Sequence, residues 1–133
     1  MMPGEPTRDP VARFLMDKRH FAGGRPTRRA FLPWHNKRTG GYELSVFCTL
    51  GLPDAGIWAL ARRYVVLPGG ERTLFGRADL DAADIPKAAP SLSLAIDNQP
   101  ERHANILGWP PDKDEQKAIA TELAAVAVLT LVQ

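Results

Sequence analysis

An α+β or mixed α/β fold, built as one small domain with about four or five strands and two main helices packed on one layer, is what three features of the chain predict. Its 133 residues match the ~100–150 of a typical single domain, which leaves little room for a second core. Apolar residues make up 44% and charged residues 24%, close to the ~45–50% and ~25% of ordinary globular domains and unlike disordered, collagen-like or coiled-coil chains. Segments with a two-residue apolar period alternate with segments of helical period.

Residues 1–10, carrying Pro3, Pro6 and Pro10, read as a flexible N-terminal segment, and 11–133 as a single globular domain with a basic irregular loop at 17–41. Val11–Met16 is apolar apart from Arg13 and fits a short helix or a strand equally. From Phe21 to Gly41 the repeated Gly and Pro leave one extended piece, Ala30–Trp34. Tyr42–Leu50 is the clearest strand: Leu44, Val46, Cys48 and Leu50 alternate with Ser45, Phe47 and Thr49. Gly51-Leu52-Pro53-Asp54 then opens a helix whose stripe is Ile57, Leu60, Ala61, Tyr64 and Val65, and Leu67-Pro68-Gly69-Gly70 ends it. Arg72–Asp79 reads as a strand, Asp81–Ile85 as one helical turn capped by Asp81, and Ser91–Ile96 as another strand. Asp112 as N-cap with Glu115 three residues on starts a helix reaching about Val126, with Ile119, Leu123 and Val126 on its buried side. The apolar end, Leu123–Val132, stays helical or turns into a strand.

Charge is uneven along the chain. Residues 1–41 hold nine Lys and Arg against three Asp and Glu, a net +6, whereas 42–133 carry a net −4. Clustered cations raise the local potential and speed encounter with anions, so the basic third is expected to face an anionic partner. The arm lying on its own acidic body is the competing explanation. Lys18, Arg19, His20, Arg25, Arg28, Arg29, Trp34, His35, Lys37 and Arg38 are the binding candidates here, because they interleave aromatic rings with cations as single-strand binders do. Phe21, Phe31 and Trp34 are equally explained as apolar anchors of the loop.

The second candidate is Asp97–Pro110, which puts an acid, amides, a guanidinium, an imidazole and an indole between a strand and a capped helix. Here His103 is the acid/base candidate, Glu101 or Asp97 the group that orients it, and Arg102 an anion clamp, with Asn105 and Trp109 as further binding residues. Turn capping by His103 and Asn105 and packing of Trp109-Pro110 explain the same residues without chemistry.

Other chemistries lack their signatures. His20, His35 and His103 have no metal-ligand spacing, even with Asp97 or Glu101 added, so no metal and no cofactor is expected. Cys48 reads as a small buried hydrophobe. The Gly23-Gly24 and Gly69-Gly70 turns match neither phosphate-loop pattern. No G-x-S-x-G elbow exists, and Ser45, Ser91 and Ser93 lie within expected strands, which counts against a serine hydrolase. One cysteine, no secretory pattern and no spanning apolar run point to a cytoplasmic protein without membrane contact.

Two functions follow from this reading. The first is a small cytosolic binding or adaptor protein whose basic third contacts an anionic partner, an acidic protein surface before nucleic acid. The alternative is a small enzyme on a phosphate-bearing or nucleotide-derived substrate, with His103 as acid/base and Arg19, Arg28 or Arg102 as clamps. A homo-oligomer joined through the apolar C-terminal segment is a further expectation.

Overall fold

The computed structural model, which describes residues 9–66 and 72–132, combines a sheet with three α-helices in an α+β arrangement. The strands are β1 (Pro10–Leu15), β2 (Phe21–Ala22), β3 (Arg25–Pro26), β4 (Trp34–His35), β5 (Tyr42–Cys48), β6 (Gly76–Asp81), β7 (Ser93–Ile96), β8 (His103–Leu107) and β9 (Val128–Leu131). The helices are α1 (Asp54–Tyr64), the single turn α2 (Ile85–Ala88) and α3 (Lys113–Val126). Seven strands form one sheet in the order β7-β8-β5-β1-β6-β9, with β4 paired to an end of β5, and β2-β3 form a separate hairpin. Every pairing is antiparallel.

The expectation of two main helices on one layer is corrected here: the sheet carries a helix on each face. The alternation within β1 and β5 is apolar on both sides, so each face needs cover. Val11, Leu15, Leu44 and Val46 pack with Ala120, Leu123 and Ala124 of α3, with Phe31 and with Trp109. Ala12, Phe14 and Phe47 pack with Ile57, Leu60 and Ala61 of α1. Each large apolar side chain buried this way contributes ~1.5–3 kcal/mol, offset by the entropy of ordering it.

The sheet is also larger than four or five strands. Its additional members are the two-residue β4, the end strand β9, and β8 at the centre of the Asp97–Pro110 segment that reads as a loop. Five residues bounded by Pro100 and Gly108 make a weak signal alone, but the ladders to β5 and β7 on either side fix them as a strand. Of the extended piece expected at Ala30–Trp34 only the end is extended, with Leu32 in extended backbone and Trp34 opening β4; Arg28–Phe31 is a 3-10 turn that buries Ala30 and Phe31. Within the basic loop, Lys18–His20 forms another 3-10 turn capped by the Asp17 side chain. The strand expected at Arg72–Asp79 runs instead from Gly76 to Asp81.

Asp112 does cap α3, accepting from the Glu115 N–H at 2.9 Å. Asp81 precedes the expected turn, Ala82–Asp84, but makes no side-chain cap bond. Pro10 belongs to β1, and the Asp9 carbonyl accepts from the Ala82 N–H, so the structured chain begins earlier than expected. The remainder of the flexible segment expected at 1–10, and the helix break at 67–70, lie outside the described residues. No described helix is long and apolar enough to cross a membrane.

One long-range tie fixes α1 on its face. The Arg77 guanidinium, almost wholly buried, bonds Asp54 at the start of α1 at 2.7 Å and Asp79 at 2.9 Å, and it lies 4.6 Å from the Trp58 ring centre.

Candidate functional site

The antiparallel register of β5 with β8 sets Phe47 opposite His103 and Ser45 opposite Asn105. Successive strand side chains alternate faces, so Ser45 and His103 become diagonal neighbours on the α1 side of the sheet. Ser45 Oγ lies 2.6 Å from His103 Nε2, and His103 Nδ1 lies 2.8 Å from Asp97 Oδ1.

The connection from β7 to β8 supplies the carboxylate. Asp97 and Asn98 both donate their backbone N–H groups to the His103 carbonyl, at 3.2 and 3.1 Å. Asp97 Oδ1 accepts from the Gln99 N–H at 3.0 Å, and Asn98 Oδ1 from the Arg102 N–H at 3.2 Å, so the loop is held by its own side chains. Asn98 and Arg102 take left-handed backbone conformations, with φ of 53° and 67°. Such sparsely populated conformations persist where surrounding bonds over-determine them.

Partner chemistry assigns the proton on a neutral His103. The Asp97 carboxylate only accepts, so Nδ1 donates to it, and the Nε2 lone pair is left facing the Ser45 hydroxyl. Burial pushes the Asp97 carboxyl up, but the Gln99 N–H and the His103 ring outweigh it and hold the group below the usual carboxylate range. The imidazole is 13% exposed and packs edge-on to the Phe47 ring at 5.4 Å.

The Ser45–His103 end of this row opens into a pocket of about 360 Å³ whose apolar walls are Phe14, Phe47, Tyr64, Val65 and Pro100 and whose cations are Arg13 and Arg72. That volume lies in the range of small-molecule sites. Arg13 stands where β1 and β5 part: the two strands pair only through Val11–Cys48 and Ala12–Phe47. Beyond that point its Nε donates to the Ala30 carbonyl at 3.0 Å and its Nη1 to the Ser45 carbonyl at 3.1 Å. No carboxylate pairs with it among the described residues. Burial, aided by repulsion from Arg72, lowers its pKa to about 10, so it stays charged near neutrality. A sequestered guanidinium beside a second cation, with donors to spare, is a place where an anion is stabilised.

The other expected catalytic residues sit elsewhere. Glu101 is exposed and accepts from the Tyr64 hydroxyl at 3.4 Å, so Asp97 rather than Glu101 orients the imidazole. Arg102 spends its Nη1 on the Cys48 and Leu50 carbonyls. Asn105 reaches Asp97 Oδ2 at 3.5 Å, and Trp109 is buried with its Nε1 on the Ile106 carbonyl. Ser45, Arg13 and Arg72 are the members that reasoning from sequence missed; the unpartnered polar position of Ser45 in an apolar strand was the available signal.

The basic loop divides into three. Arg19 pairs with Asp17 at 2.6 Å, and Lys18 lies over the Phe75 ring at 5.9 Å. Arg25, Arg28, Arg29, Lys37 and Arg38 are exposed and have no carboxylate partner among the described residues. Trp34 and His35 are exposed on β4, where His35 packs on Tyr42. Among the described residues, no group of three His, Cys, Asp or Glu side chains is placed to hold a metal ion. Cys48 is a free, half-buried thiol whose pKa burial pushes up.

Set against known proteins, the chain matches no family model, no curated protein and no solved structure.

Proposed function

We propose that the chain is a cytoplasmic hydrolase of small phosphate esters in which Ser45 is the nucleophile, His103 the general base and acid, and Asp97 the residue that orients His103. The observation that carries this reading is the Ser45–His103–Asp97 hydrogen-bonded row opening into a pocket shared with Arg13 and Arg72. A nucleophile, a base within hydrogen-bond reach and a third group orienting the base form the arrangement that activates a hydroxyl.

Ser45 Oγ attacks phosphorus while its proton passes to His103 Nε2. The bond from phosphorus to the leaving oxygen breaks, and that oxygen takes the proton from His103. Water then attacks the phosphoserine, giving its proton to His103, which returns it to Ser45 Oγ as inorganic phosphate leaves. Asp97 stabilises the imidazolium formed in both halves, and Arg13 and Arg72 face the charge on the phosphoryl oxygens.

p-Nitrophenyl phosphate and bis(p-nitrophenyl) phosphate test the reading, with p-nitrophenyl acetate as the contrasting ester. Turnover of a phosphate ester is expected, abolished by Ser45→Ala and lowered about 10²–10⁴-fold by His103→Ala. Turnover unchanged in Ser45→Ala, or confined to the acetate, contradicts it.

A second reading, the adaptor, is favoured by the exposed cations of the basic loop, which support contact with an anionic partner. Exposed Val126, Val128 and Leu131 around the end strand β9 support contact with a second copy of the chain.

A further inference from the structure

We propose that the concavity between the 3-10 turns 18–20 and 28–31 and the helix α3 is a binding site for a compact di- or triphosphate group. The inference narrows the binding reading to one site and one ligand class, and it shares no lining residue with the Ser45 pocket.

The space is about 390 Å³ and is lined by Arg19, His20, Arg28, Arg29, Leu32 and Lys117. Cations therefore come from two parts of the chain almost ninety positions apart, and the packing of turn 28–31 on α3 brings them together. Asp17 neutralises Arg19, but no carboxylate lines the space, and Arg28, Arg29 and Lys117 have no acidic partner among the described residues. His20, which lines the same space, has a buried Nδ1 without a hydrogen-bond partner in the protein.

The chemistry selects the ligand. Guanidinium forks match the oxygens of phosphate in pairs, and several converging on one concavity fit a multiply charged group better than a single carboxylate. Leu32 is the one apolar lining residue and no Phe, Tyr or Trp lines the space, so it lacks the large rings on which bases stack in single-strand binders, while charge dominates its lining. Recognition is accordingly of the phosphates, whether they come as free pyrophosphate or as the tail of a nucleotide.

Titration calorimetry and amide NMR at low ionic strength test this on the whole chain, with pyrophosphate, tripolyphosphate, ATP and a short single-stranded oligonucleotide as probes. Pyrophosphate is expected to bind with resonance shifts at His20, Arg28 and Lys117, and to weaken as salt rises. Arg28→Ala with Arg29→Ala should weaken it at least about tenfold, while Lys37→Ala with Arg38→Ala changes it less than about twofold. Equal affinity for ATP and pyrophosphate assigns recognition to the phosphates alone; much tighter ATP binding assigns it to nucleotides. Ser45→Ala should leave binding intact. Binding of the oligonucleotide without pyrophosphate overturns the compact site but keeps the binding reading. No binding of any probe overturns the site and, with it, the nucleic-acid form of the binding reading, and equal weakening by the Lys37 and Arg38 changes shows a diffuse charge effect that also overturns the site.

Discussion

A serine hydroxyl is a poor nucleophile near neutral pH, and the neighbours of Ser45 change that. His103 Nε2 at 2.6 Å gives the proton somewhere to go, and Asp97 fixes the ring that receives it. The ionised state of Asp97 also bears on stability. A carboxyl held below its usual range binds fewer protons in the folded chain than in the unfolded one. Its contribution is present above the unfolded value of ~3.9 and is lost as pH falls through the lower folded value. Asp97→Asn should therefore melt below the wild type at neutral pH, with the gap narrowing once pH drops under ~3.9. A gap that does not change with pH, read by thermal melts across that range, contradicts the assignment.

The strand β8 carries His103 into the sheet, and what ends that strand is equally specific. Gly108 has φ of 86°, and a Cβ there would stand 1.9 Å from the Ser91 carbonyl oxygen. The Ser91 hydroxyl in turn donates to the Gly108 carbonyl at 2.7 Å, locking the end of β8 to the segment before β7. Gly108→Ala combines a left-handed conformation with a backbone clash and should cost more than about 2 kcal/mol, seen as a lower urea midpoint. An unchanged midpoint would show that this turn relaxes freely. The elements with strong local signals were legible in the sequence: the alternation in β5, the apolar stripe of α1 and the Asp112 cap of α3. β8 was not, because its apolar Ala104 and Ile106 are too few to stand out and long-range ladders define it. The site shows the same division. His103 stands out in any reading, whereas Ser45 becomes its neighbour only through a cross-strand register across 58 positions.

Over the entire chain, the net positive charge of the first third resolves into distinct uses. Arg13 goes inward to the gap between β1 and β5, Arg19 is met by Asp17, and Arg28 and Arg29 face a concavity also reached by Lys117. The sheet bears a helix on each face, and the Ser45 pocket lies on the side covered by α1. A serine activated in this way should react with electrophilic phosphorus. Treatment with a fluorophosphonate followed by peptide mass spectrometry measures that directly. One adduct on Ser45 is expected, lost in His103→Ala and formed more slowly in Asp97→Asn. No adduct on Ser45, or the same rate of labelling without the imidazole, would contradict the proposed chemistry.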